Sequence, residues 1–78
     1  MSPEEKRLDA IARRVVPSWW EVKTIRDELG VGGLVVYTVE TTDSKGVSRW
    51  FAIPAKALRP EVADHVIESA LAKAVNSN

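Results

Sequence analysis

Apolar and polar residues recur with two different periods along this chain of 78 residues, and each change of period marks a new element. Leu8, Ile11, Ala12 and Val15 fall at i, i+3, i+4 and i+7, the spacing of one helix face. Ser2 stands before them as an N-cap, Pro3 suits the first helical position, and Glu5 sits where a capping box needs it. Pro17 has no amide hydrogen and ends the helix. Residues 34–41 are rich in β-branched and aromatic side chains, which suit a pleated, half-buried surface. Asp43, Ser44, Lys45 and Gly46 then form a cluster of turn residues. Residues 47–53 return as a second strand, and Pro54 closes it. The pattern predicts an antiparallel hairpin.

Residues 18–29 carry two readings. As a helix, Ser18 caps it, Glu21 completes a second capping box and Gly30 takes the position after the C-terminus. As a strand, residues 20–25 have the right composition, and residues 30–33 become the loop into the next strand. A lone hairpin is marginal without a third strand, which favours the strand. Further on, residues 55–58 form a single turn. Pro60 then begins the main helix at its N1 position, and that helix runs to about residue 75. Its expected apolar face is Ala63, Val66, Ile67, Ala70, Leu71 and Ala74, with a frayed end at 76–78.

The predicted fold is one α+β domain over residues 1–78, in the order α-β-β-β-α. A three-stranded antiparallel sheet carries two helices on one face; the alternative order is α-α-β-β-α. A domain this short has a net stability of only about 3–5 kcal/mol from its core. It contains no cysteine, so neither disulfides nor thiolate zinc sites can reinforce it. Good packing or association must do so instead, and a homodimer or a protein partner is as natural an expectation as a monomer. No apolar run reaches the roughly 18–20 residues that span a bilayer, and the charged N-terminus lacks a signal-type core. A cytoplasmic protein without membrane contact is expected.

Eleven Lys and Arg balance eleven Asp and Glu, which argues against non-specific nucleic-acid binding through a basic surplus. The first helix nevertheless gathers Lys6, Arg7, Arg13 and Arg14, a stripe that could meet an acidic partner or simply face water. The single His65 leaves few nucleophile–base combinations, and no hydroxyl residue sits in a G-x-S-x-G elbow. Asp64, His65 and Glu68 do not have the spacing of a helical zinc site, and one imidazole rarely makes one. Neither enzymatic activity, a metal nor a cofactor is expected.

Three tryptophans are a large allocation for this length. Adjacent strand residues point to opposite faces, so Trp19 and Trp20 cannot both enter a core on one side of the sheet. The same holds for Trp50 and Phe51. At least one large aromatic on each strand should face away from the helices. An exposed aromatic with Arg beside it, as Arg49 stands beside Trp50, is the usual anchor of a protein interface.

The order helix, three strands, helix resembles that of the double-stranded-RNA-binding domain, and the Ala-rich residues 69–75 are similar to that family's second helix. The resemblance covers most of the chain at the level of topology. That family's loop between its first two strands carries Gly-Pro-x-His; here Glu28, Leu29, Gly30, Val31, Gly32 and Gly33 stand in its place. Its second helix opens on a cluster of lysines, whereas Lys56 and Arg59 are the only cations here and Glu61 and Asp64 follow. No RNA contact is carried over to any residue. In length, lack of cysteine and a single mixed domain, the chain also resembles the small accessory proteins of phages and prophages, anti-CRISPR proteins among them. That resemblance implies a stoichiometric inhibitor that binds a larger host complex.

The functional expectation is a non-enzymatic protein-binding module that inhibits or regulates a nucleic-acid-handling complex. Its contact surface would be the outer sheet face around Trp19 or Trp20, Trp50 and Arg49. Glu61, Asp64 and Glu68 would form a second, acidic surface imitating phosphates. Two other readings are a nucleic-acid-binding module using Lys6, Arg7, Arg13 and Arg14, and a homodimer whose sheet face pairs with itself.

Overall fold

The structure, a computed structural model, describes residues 2–30 and 32–76. Its first helix, α1, spans Pro3–Val15. The Ser2 hydroxyl accepts the Glu5 N–H at 3.2 Å, and Pro3 occupies the first turn, as the N-cap signals predict. The chain leaves α1 at Val16, whose N–H bonds the Ala12 carbonyl at 3.1 Å. A turn then forms in which the Trp20 N–H bonds the Pro17 carbonyl at 3.0 Å.

Residues 18–29 resolve as this turn followed by strand β1, Glu21–Leu29. Strand β2, Leu34–Thr42, and strand β3, Ser48–Pro54, complete an antiparallel sheet in the order β1-β2-β3. A helix of a dozen residues is marginal in water, whereas pairing with β2 satisfies the backbone from Glu21 to Leu29. The cap signals at Ser18 and Glu21 lose to that ladder. In the second hairpin, Asp43 Oδ1 accepts the N–H groups of Lys45 at 2.8 Å and Val47 at 3.0 Å. Gly46 adopts φ 83°, the left-handed conformation the turn requires.

Register assigns the two faces. Val39 pairs with Thr24 and Phe51, and Tyr37 with Arg26 and Ile53, so even positions of β1 and odd positions of β2 and β3 face the helices. Tyr37, Val39 and Ile53 meet Leu8, Ile11 and Ala12 of α1 there.

The main helix, α2, spans Asp64–Asn76 and does not begin at Pro60. Arg7 explains the delay. Its guanidinium donates to the carbonyl oxygens of Leu58 (3.1 Å), Arg59 (3.0 Å) and Val62. A helix running from Pro60 would need the Val62 carbonyl for the Val66 N–H; that N–H instead bonds Ala63 at 3.1 Å. Residues 55–58 form the expected single turn, a 3₁₀ helix. The buried face of α2 is Ile67, Leu71 and Val75, so the helix is rotated from its expected phase. Val66, predicted to be core, is 52% exposed, and Ala63 and Ala70 are also exposed.

Candidate functional site

The sheet's outer face, opposite the helices, is covered by no element among the described residues. On it, Trp50 of edge strand β3 lies opposite Glu40, which lies opposite Lys23. The next row is Ala52, Thr38 and Ile25, followed by Pro54, Val36 and Asp27. Trp50 is 61% exposed; on the same face Ala52 is exposed in the next row, Ile25 across the sheet on β1, and Leu34 at the far end of β2. Trp50 is therefore the largest member of a mixed apolar face with a charged row across it. Period-2 parity with Trp50 is the signal that would have gathered Ala52 from the sequence, whereas Val36 and Ile25 join it only through the register of β2 and β1.

Trp19 is 70% exposed at the entry to β1. Trp20 turns the other way and packs against the core. The Arg49 guanidinium lies over the Trp20 ring, 5.5 Å from its centroid, and its Nη1 meets Asp43 Oδ2 at 3.2 Å. The sequence neighbours Arg49 and Trp50 thus occupy opposite faces. Arg49 does not share the face of the exposed Trp50; it lies over the partly buried Trp20, so the expected grouping of Trp20 and Arg49 with Trp50 on one outer surface does not hold. Three hydrogen bonds, the first of them from the Val47 N–H and the others from Lys45 and Arg49, hold the Asp43 carboxyl below its ordinary range against the opposing effect of burial.

The acidic and basic candidates meet each other. Arg7 Nε bonds Asp64 Oδ1 at 2.9 Å, and Arg14 Nη2 reaches Glu68 Oε1 at 2.7 Å and Asp64 Oδ2 at 3.4 Å. These pairs line the seam between α1 and α2. Arg13 pairs with Asp9 of its own helix at 2.8 Å. Lys6 is exposed, and Glu61 sits exposed in the turn before α2. The hydrogen bond from Arg7, with Arg14 adding to it, keeps the Asp64 carboxyl below its ordinary range, while Glu68 raises Arg14. Neither a free acidic strip nor a free basic stripe results: Asp64 and Glu68 neutralise Arg7 and Arg14.

Among the described residues, no three His, Cys, Asp or Glu side chains gather in a way that could hold a metal ion. Among the described residues, no helix is long and apolar enough to cross a membrane. Comparisons with protein-family models, curated proteins and solved structures return no match for the chain.

Proposed function

We propose that this chain is a non-enzymatic protein-binding module that docks through the outer face of its sheet. The observation that carries this reading is the exposure of Trp50 on a face that no helix covers. Tryptophan supplies a large rigid contact area at small entropic cost and is enriched among residues that dominate binding energy. Ile25, Val36 and Ala52 extend the apolar area along the same face, and Lys23 and Glu40 offer polar anchors of both signs. Trp19 stands at the end of the face where β1 begins. The partner we infer is a larger complex that handles nucleic acid, with the module acting as its stoichiometric inhibitor or regulator.

The internal pairing of α1 with α2 favours this surface over the electrostatic ones. Phosphate imitation by Asp64 and Glu68, or phosphate binding by Arg7 and Arg14, would first have to open the contacts between the helices.

The test is capture of partners by the tagged chain from nuclease-treated lysate, followed by binding measurements on the captured protein. The expected result is a protein partner whose affinity falls roughly tenfold or more with Trp50→Ala, an effect of about 1.4 kcal/mol or more. Affinity should change little with salt. Retention of nucleic acid alone, with the steep salt dependence of counterion release, would overturn the reading.

A further inference from the structure

We propose that Trp50 and Glu40 together receive a cationic side chain, an arginine above all, so that the protein segment docking on the outer face is a basic one. The inference rests on that face being the docking surface and names the chemistry of what docks there.

The register brings the two side chains together. The Asp43 N–H bonds the Val47 carbonyl at 3.0 Å, which fixes the phase of the ladder. Thr41 with Arg49 and Val39 with Phe51 are therefore hydrogen-bonded pairs, and Thr42 with Ser48 and Glu40 with Trp50 are the pairs between them. In pairs of this second kind the side chains stand closest. Thr42 and Ser48 show it, with their hydroxyl oxygens 3.0 Å apart. Glu40 and Trp50 are the next such pair along the same face.

The Glu40 carboxylate is uncommitted. Lys23 stands opposite it on β1, in the wider, hydrogen-bonded kind of pair. Among the described residues every ion pair joins other groups, and none joins these two. An open cleft of about 380 Å³ lies beside Glu40, with Glu21, Lys23 and Thr42 in its wall. Arg13 also borders that cleft, and its guanidinium is held by Asp9.

Charge distribution favours a basic occupant. The chain carries no net charge, yet its outer face sets three carboxylates, Glu21, Asp27 and Glu40, against the single ammonium of Lys23. On the rest of the molecule Asp9, Glu28, Asp43, Asp64 and Glu68 are each taken up by an arginine. The face around Trp50 therefore holds a local excess of negative charge. It repels phosphate or carboxylate and attracts a cation.

The indole and the carboxylate suit the same ligand group. A tryptophan ring attracts a cation to its negative face, and arginine is the commoner occupant because its planar guanidinium stacks there. Stacked on Trp50, a guanidinium keeps its edge N–H groups free to donate to the Glu40 carboxylate. The ring supplies apolar area and the carboxylate supplies the counter-charge. Covered by the docked segment, such a pair is screened little, so the weak salt response expected of this interface is unchanged.

Amide NMR on the isotope-labelled full chain tests the proposal, by titration with a blocked peptide of alternating arginine and alanine. Counterparts with citrulline or glutamate in place of arginine serve as controls. The arginine peptide is expected to shift the Trp50 indole N–H and the amides of residues 38–40 and 50–52 saturably, and the controls to leave them in place. Glu40→Gln, and Trp50→Leu, which keeps an apolar side chain without the ring, are each expected to raise the dissociation constant about fivefold or more while the fold is unchanged. No shift through the millimolar range would overturn the proposal, as would equal binding of the citrulline peptide or binding indifferent to Glu40→Gln. Shifts at Trp50 that follow the concentration of the chain alone would also overturn it, assigning the face to a second copy. A captured partner whose affinity falls with Trp50→Ala but not with Glu40→Gln would sink the basic segment and leave the docking face standing.

Discussion

Arg7 of α1 and Asp64 of α2, 57 positions apart, are joined Nε to Oδ1 at 2.9 Å. The same guanidinium bonds the carbonyl oxygens of Leu58, Arg59 and Val62. One side chain thus sets where α2 begins and ties the chain between β3 and α2 to α1. A planar fork with five donors can satisfy this set; a lysine ammonium cannot span it.

Arg7→Met is accordingly expected to destabilise the domain by roughly 1.5–3 kcal/mol, the range for hydrogen bonds to a charged group. Arg7→Lys should recover little of the loss. Urea unfolding measures this directly, and amide exchange should quicken across residues 58–66. A variant with an unchanged unfolding midpoint would show that these contacts contribute nothing.

Much of the fold is legible in the sequence because it is written in local chemistry. Ser2, Pro3 and Glu5 start α1, and Asp43 with Gly46 turns the chain between β2 and β3. The features that escaped depend on distant partners. The start of α2 is decided by Arg7, which no pattern near Pro60 records. The phase of α2 is not legible because alanines fit a core and a surface equally well, and Ala63, Ala70 and Ala74 shift the periodic stripe away from Val75. At the candidate site, the period-2 rule says only that the adjacent tryptophans cannot share a face; the turn before β1 is what leaves Trp19 exposed and packs Trp20 against the core. Applied to Arg49, the same rule places it inward, beside Phe51 and opposite Trp50. Proximity in sequence had suggested a shared surface that the strand geometry forbids.

The Asp43 carboxylate couples the β2–β3 turn to pH. Its folded-state pKa lies below the ordinary value of 3.8, through the Val47 N–H first and then Lys45 and Arg49. A depressed carboxyl contributes stability that is fully present above its unfolded pKa and is lost as pH falls through the folded one. Asp43→Ala should therefore lower the melting temperature most near neutral pH. The gap between wild type and variant should narrow as pH falls below 3.8. A gap that stays constant from neutral pH to well below that value would sink the linkage.

Thr41 is the buried polar residue whose place in the core has no hydrogen-bonding explanation. It is 1% exposed on the inner face of β2, opposite Val22 and Arg49, and its hydroxyl has no partner among the described residues. A buried hydroxyl left without a partner costs about 1–3 kcal/mol, while a methyl group of similar size costs nothing to desolvate. Valine has the same branched shape and the same preference for strands. Thr41→Val is expected to raise stability by about 1 kcal/mol or more, seen as a higher urea midpoint with an unchanged slope. Val39, Phe51, Leu71, Ala74 and Val75 line the space around Thr41 together with Arg49, so the added methyl meets a mostly apolar surrounding. A loss of stability instead would mean that the hydroxyl is bonded in solution, and the balance of polar and apolar contacts beneath α2 would have to be redrawn around that bond.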